Sequence, residues 1–71
     1  MNIGQVFLKA RQKEKVTLKA MSSKLGLTPS ALWKIEVGQS WPKPKTIDAF
    51  SRETGIPIAR IYIESLEPSD Y

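Results

Sequence analysis

The side chains best suited to chemistry lie in one short segment that begins at Thr28. In a helix that starts there, successive residues are about 100° apart around the axis, so Leu32 and Ile35 lie on one side. The opposite side carries Ser30, Trp33, Lys34 and Val37. This outward set combines a hydroxyl, a long cation, an aromatic ring and an aliphatic side chain, and it contains no acid. Such a face predicts contact with a polyanion rich in hydrogen-bond acceptors, such as the major groove of duplex DNA.

Each outward side chain has a distinct expected role in that groove. Lys34 can donate hydrogen bonds to guanine acceptors, and Ser30 can bond to either base type. Trp33 and Val37 can touch a thymine methyl group or the edge of a sugar. Four further lysines are expected to flank the groove and neutralise phosphates: Lys19, Lys24, Lys43 and Lys45.

The chain lacks the residues that catalysis usually needs. It has no histidine and no cysteine, and its seven carboxylates are scattered along the sequence. No nucleophile and base pair, metal cage or phosphate-binding loop stands at a suitable spacing. The four glycines are too far apart for a dinucleotide-binding motif. We therefore predict a protein that is not an enzyme and that needs no metal or cofactor.

The charge of the chain is unevenly distributed. Residues 1–45 carry nine lysines and arginines against two acids, a net charge of +7, whereas residues 46–71 have a net charge of −3. This asymmetry is typical of a polyanion on one face and water or a protein on the other, and equally of an ordinary solvated helix surface. No apolar run approaches the ~20 residues of a membrane span, and the N-terminus lacks the pattern of a secretory signal. We expect a cytoplasmic protein without membrane contact.

Glycines, prolines and capping residues divide the sequence into five short helices, with no alternating pattern typical of a strand. The predicted helices cover residues 2–13, 17–25, 28–37, 44–54 and 58–66. Thr17 and Thr28 are suited to cap helix N-termini, and Pro29 fits the first helical position. The fold class is therefore all-α.

The connecting segments complete this organisation. Residues 39–43 are expected to form an exposed loop, because Pro42 and Pro44 cannot propagate a helix. Residues 1–66 should form one domain, and residues 67–71 a flexible C-terminal tail. Only Gly26 and Leu27 separate the second helix from the third, so the two helices must cross at a steep angle as a helix-turn-helix.

These residues resemble the phage repressor and Cro group of helix-turn-helix domains, the XRE-like type. The resemblance covers residues 3–66. It rests on Arg11 in the first helix, Leu25-Gly26-Leu27 at the turn, Leu32 and Ile35 in the third helix, Glu36-Val37-Gly38 at its end, Pro42 in the loop and Gly55-Ile56 before the last helix. It implies a compact five-helix bundle of the lambda repressor type, with the helix over residues 28–37 in the major groove, and a homodimer on a symmetric site.

The resemblance also implies roles for individual positions. Base-facing residues become Pro29, Ser30 and Lys34, with Trp33 beside them, and the loop over residues 39–43 approaches the DNA backbone. Arg11 and Glu36 are implied to form a structural ion pair. The full predicted DNA-binding set is Lys19, Thr28, Pro29, Ser30, Trp33, Lys34, Val37, Gln39, Ser40 and Lys43.

Four positions depart from the family pattern. The family usually has a phosphate-holding glutamine where Leu18 stands, glycine at Lys15, alanine at Ser22 and asparagine at Val37. The hydroxyl of Ser22 can bond to the preceding turn of its own helix, so this residue should be tolerated. The Pro29 ring offers only apolar contact. Specificity is therefore expected to depend on Ser30, Trp33 and Lys34.

Two functions remain open at this point. The first is a transcriptional regulator, in our interpretation a repressor, that binds double-stranded DNA as a homodimer. The second is a protein-interaction module, such as an antitoxin or adaptor, that uses Trp33, Val37 and Trp41 as an apolar contact patch. We expect partial exposure of both tryptophans.

The fifth helix carries more apolar surface than one core-facing stripe requires. The alternative to a dimer contact is a helix that merely wraps into a small core. The predicted dimer interface consists of Ile58, Tyr62, Ile63 and Leu66.

Overall fold

A computed structural model describes residues 2–66 of the chain and contains five helices and no strand in that range. They are α1 (Ile3–Lys13), α2 (Leu18–Lys24), α3 (Pro29–Glu36), α4 (Pro44–Thr54) and α5 (Ile58–Leu66). The all-α prediction is confirmed, and the predicted helices agree with these bounds to within one residue at most ends. The predicted tail over residues 67–71 lies outside the described residues.

Local side-chain hydrogen bonds begin three of the helices. The Oγ1 atoms of Thr17 and Thr28 each accept a hydrogen bond of 3.1 Å from the backbone N–H three residues later. Asn2 caps α1 with a reciprocal pair of bonds to Gln5, both 2.9 Å long. Asn2 therefore precedes the first helix, because its side chain satisfies an N–H that the helix itself leaves free.

The core lies where all five helices meet. The rings of Phe7 and Phe50 are stacked with centroids 3.9 Å apart and planes inclined by 8°. Leu32, Ile47 and Ile61 are fully buried around them. Helix α3 contacts both α1 and α2, so its inner side is held from two directions. No helix within residues 2–66 is long and apolar enough to cross a membrane.

The loop between α3 and α4 differs from its prediction at one residue. Its other residues are exposed as expected, but Pro42 is fully buried. A proline ring is apolar and its nitrogen carries no hydrogen, so burying it leaves no donor unsatisfied. The predicted exposed loop over residues 39–43 is therefore exposed at every residue except Pro42.

The connection between α1 and α2 contains a residue in the left-handed region. Lys15 has a φ of 56°, a conformation that costs a non-glycine residue about 1 kcal/mol. This is the position at which the family pattern has glycine. The Val16 N–H donates to the Arg11 carbonyl oxygen at 3.1 Å, which closes the connection despite this cost.

Candidate DNA interface

Helix α3 presents to solvent the face that the sequence predicts. Leu32 and Ile35 are buried against the core. Trp33 is 46% exposed and Val37 is 49% exposed. The other outward side chains of the segment are also exposed: Thr28, Pro29, Ser30 and Lys34. The structure therefore gathers the predicted base-facing residues on one solvent-facing surface.

The turn between α2 and α3 sets the orientation of that surface. Gly26 has a φ of 71°, which only glycine adopts without penalty. The Leu27 N–H donates a hydrogen bond to the Ser22 carbonyl oxygen at 2.8 Å. Ser22 is buried, and its Oγ donates to the Lys19 carbonyl oxygen at 2.8 Å. Its hydroxyl is therefore satisfied at a position where the family has alanine.

An ion pair fixes the C-terminal end of α3 to α1. Arg11 Nε lies 2.8 Å from Glu36 Oε2, and Arg11 Nη2 donates to Glu36 Oε1 at 3.1 Å. Arg11 Nη1 also donates to the Val16 carbonyl oxygen at 3.0 Å. The pairing implied by the family resemblance is present. Since both Glu36 oxygens accept hydrogen bonds from Arg11, this carboxylate is a structural group.

The surroundings of this pair keep the guanidinium charged. The side chains are only 18% exposed at Arg11 and 4% exposed at Glu36. The hydrogen bond to Glu36 raises the pKa of Arg11, while partial burial opposes the rise and the attraction of the carboxylate adds to it. The contribution of Arg11 to stability is present below its unfolded pKa and is lost only in strong alkali, so it is constant around neutral pH.

A close backbone approach also holds α3 against α1, and the sequence analysis missed it. Gly4 is buried inside α1, and a Cβ atom at this position would overlap the carbonyl oxygen of Ile35. Only a residue without a side chain lets the two backbones come so near. The available signal was a glycine within a helical segment, where glycine is otherwise unfavourable.

The loop after α3 is attached to the same helix. The backbone N–H groups of Gln39 and Ser40 both donate to the Lys34 carbonyl oxygen, at 2.8 and 3.1 Å. The side chains of Gln39, Ser40 and Lys43 are exposed, as is Lys19 on the first turn of α2. The predicted backbone-contacting residues therefore lie on two segments, α2 and this loop, that each adjoin α3 in the chain.

The lysines on this surface form no ion pair with another residue in the range 2–66. The ion pairs among residues 2–66 are Arg11–Glu36, Arg52–Asp48 and Arg60–Glu64, and none of them includes a lysine. Lys19, Lys34 and Lys43 consequently keep their positive charges available to an external anion. Residues 2–66 also contain no group of three or more acidic, histidine or cysteine side chains that could hold a metal ion.

Helix α5 presents a second exposed surface. Ile61 is fully buried, whereas Leu66 is 84% exposed. The other predicted interface residues, Ile58, Tyr62 and Ile63, are exposed to between 40% and 52%. Within the described residues this apolar side of α5 is therefore exposed.

One comparison with known proteins identifies the fold family. A family model described as helix-turn-helix matches residues 8–61, which includes the ion pair, the turn, α3 and the loop. Comparisons with curated proteins and with solved structures gave no match.

Proposed function

Because the chain belongs to the repressor and Cro type of the helix-turn-helix family, we propose that it is a small transcriptional regulator that binds double-stranded DNA sequence-specifically. The observation that carries this proposal is the acid-free, exposed face of α3, supported from beneath by Leu32 and Ile35. In this proposal the protein acts in the cytoplasm and has no catalytic role, and it represses by covering a promoter.

The outward residues of α3 contact the bases, whereas residues of α2 and of the following loop contact the DNA backbone. Lys34 and Ser30 supply the hydrogen bonds to base edges, whereas Pro29, Trp33 and Val37 supply apolar contact. The Thr28 hydroxyl caps the N-terminus of α3 and is proposed to face the DNA there. Phosphates are contacted by Lys19 on α2 and by Gln39, Ser40 and Lys43 in the loop. Leu18 cannot hold a phosphate, so Lys19 provides the contact from α2.

Two lysine substitutions test this division. Lys34→Ala is expected to relax base preference at one or two positions of each half-site, a loss of discrimination of about 1–3 kcal/mol. Lys43→Ala should weaken binding to all sequences alike and reduce the slope of log affinity against log salt by about 0.9 per site. Selection from a randomised duplex pool measures the first effect, and salt titration measures the second.

Lys13→Ala is the matched control, because Lys13 lies on the side of α1 that faces α5. It should change neither base preference nor the salt slope beyond a small long-range effect. If Lys34→Ala left the selected motif unchanged, our assignment of the reading face would be wrong.

We propose that the exposed side of α5 joins two copies of the chain. Ile58, Tyr62 and Leu66 follow one another at four-residue spacing, and therefore form a continuous exposed stripe beside the buried Ile61. An identical stripe on a second copy can cover it through a two-fold axis. Such a dimer would present two α3 helices to half-sites about one helical turn apart.

Leu66→Glu is expected to weaken this dimer at least tenfold. Burying a leucine is worth about 1.5–3 kcal/mol, and the substitution also places two carboxylates near the symmetry axis. Sedimentation equilibrium measures the association constant. Glu53→Gln, an exposed change on α4, serves as the control and should leave association unchanged. A wild-type chain that sediments as a monomer at every accessible concentration would refute the self-interface.

One observation favours a second function, that of a protein-interaction module such as an antitoxin or adaptor. Trp33, Val37 and Trp41 are all large apolar side chains left exposed around α3. Retention on random duplex DNA that falls steeply as salt rises supports the regulator. A complex with a co-purified protein that is insensitive to salt supports the interaction module.

A further inference from the structure

We propose that Trp41 is a further DNA contact, whose indole ring packs against the deoxyribose of one strand while α3 occupies the major groove. This inference rests on the proposed function and adds a residue outside the predicted DNA-binding set. The sequence left open whether Trp41 meets DNA or protein. In the structure Trp41 and Lys34 line the same groove.

The groove itself has the chemistry of a sugar and phosphate site. It has a volume of about 460 Å³ and runs between α3 and the loop that follows it. None of the described residues that line it is acidic. On the loop side of the groove Lys43 contributes positive charge and Ser40 a hydroxyl group, whereas Lys34 and Ser30 on the α3 side are the proposed base-reading residues. A polyanionic strand with an apolar sugar face complements this combination of charges, hydroxyls and one aromatic ring.

The loop holds Trp41 in a defined position. The residue before it, Ser40, is hydrogen-bonded through its N–H to the Lys34 carbonyl oxygen, and the residue after it, Pro42, is fully buried. Between these two attachments the Trp41 side chain is 67% exposed. Because the backbone is fixed on both sides, little backbone conformational entropy is lost when the indole ring contacts a ligand.

The position of Trp41 relative to α3 determines which of the two DNA strands it contacts. Along the outward face, Trp33 lies about 100° from Lys34, on the edge away from the loop. Trp41 lies beyond the opposite edge, and it shares its groove with Lys34. A major groove is bounded by one sugar–phosphate strand on each side. The strand nearest Lys34 therefore enters the groove and meets Trp41.

Fluorescence of the full-length chain tests this contact. Trp33→Phe leaves Trp41 as the sole tryptophan, because the sequence contains two. Anisotropy of a fluorescein-labelled random-sequence duplex at low ionic strength reports binding independently of tryptophan. We expect duplex saturation to change the emission of Trp41 and to reduce its quenching by acrylamide at least twofold.

Affinity measurements give a second readout. Trp41→Ala is expected to weaken duplex binding about tenfold, the lower end of aromatic contacts with nucleic acids. The slope of affinity against salt should stay unchanged, because no charge is removed. Trp41→Phe should recover most of the affinity by restoring an aromatic face. Since the side chain is largely exposed, the free energy of unfolding should change little in either variant.

The outcomes separate this inference from the proposed function. If the wild-type chain gave no anisotropy change with any duplex, both proposals would be overturned. If the duplex bound but the emission and quenching of Trp41 stayed constant, only the Trp41 contact would be overturned. A Trp41→Ala variant with wild-type affinity for DNA would also overturn this contact while leaving the regulator intact.

Discussion

Replacing Glu36 by alanine is expected to lower the free energy of unfolding by about 3 kcal/mol. The variant leaves Arg11 charged and largely buried, and removing one partner of a buried ion pair costs about 3–5 kcal/mol. The lower value applies because Arg11 keeps some contact with water and its bond to the Val16 carbonyl oxygen. Urea denaturation followed by circular dichroism measures the loss.

Two further variants identify the cause of that loss. Glu53→Ala, an exposed position on α4, should change stability by less than about 0.5 kcal/mol. The double variant Arg11→Met/Glu36→Leu should recover much of the stability, because it removes both charges together. A Glu36→Ala variant as stable as the wild type would mean that the pair contributes only to α3 orientation.

The features of the fold that depend on neighbouring residues could be predicted from the sequence. Thr17 and Thr28 cap their helices through bonds that span three residues, and Gly26 ends a helix through its own backbone freedom. These interactions involve no other element of the fold. The exposure of Trp33 and Lys34 followed from helical periodicity once Leu32 and Ile35 were assigned to the core.

The features that depend on contacts between elements could not be predicted from residue patterns. The burial of Pro42 and the groove beside Trp41 arise only when the loop folds against α3. The partner of Glu36 lies 25 residues away, and the family resemblance rather than any local pattern indicated it. The contact at Gly4 likewise depends on where α3 lies, so a pattern of residue types within α1 cannot reveal it.

These contacts have one function in common, which is to position α3. Near its C-terminus, α3 contacts α1 at two points. These are the Arg11–Glu36 pair and the close approach of Gly4 to Ile35. The loop is held to α3 through the Lys34 carbonyl oxygen. Base-reading side chains are effective only when their backbone is placed within about 0.5 Å, so these supports bear directly on DNA recognition.

Gly4→Ala is therefore expected to destabilise the protein and weaken DNA binding together. Alanine is favoured over glycine in a helix by at most about 1 kcal/mol, and Gly4 lies in the first turn of α1. The added Cβ, however, overlaps the Ile35 carbonyl oxygen, a backbone atom that cannot rotate away. Overpacking of this kind costs about 3 kcal/mol, so we expect a net loss of about 2 kcal/mol in the free energy of unfolding.

Gly55→Ala is the control that distinguishes a clash between two helices from backbone strain at a single residue. Gly55 has a φ of 76° and open space around its Cα, so Gly55→Ala should cost about 1 kcal/mol through backbone strain alone. It should leave the affinity for duplex DNA unchanged, whereas Gly4→Ala should lower that affinity even under conditions where the variant is fully folded. Chemical shift changes in α3 of Gly4→Ala, absent from Gly55→Ala, would locate the displacement. If both variants bound DNA like the wild type, the close approach at Gly4 would stabilise the fold without setting the position of α3.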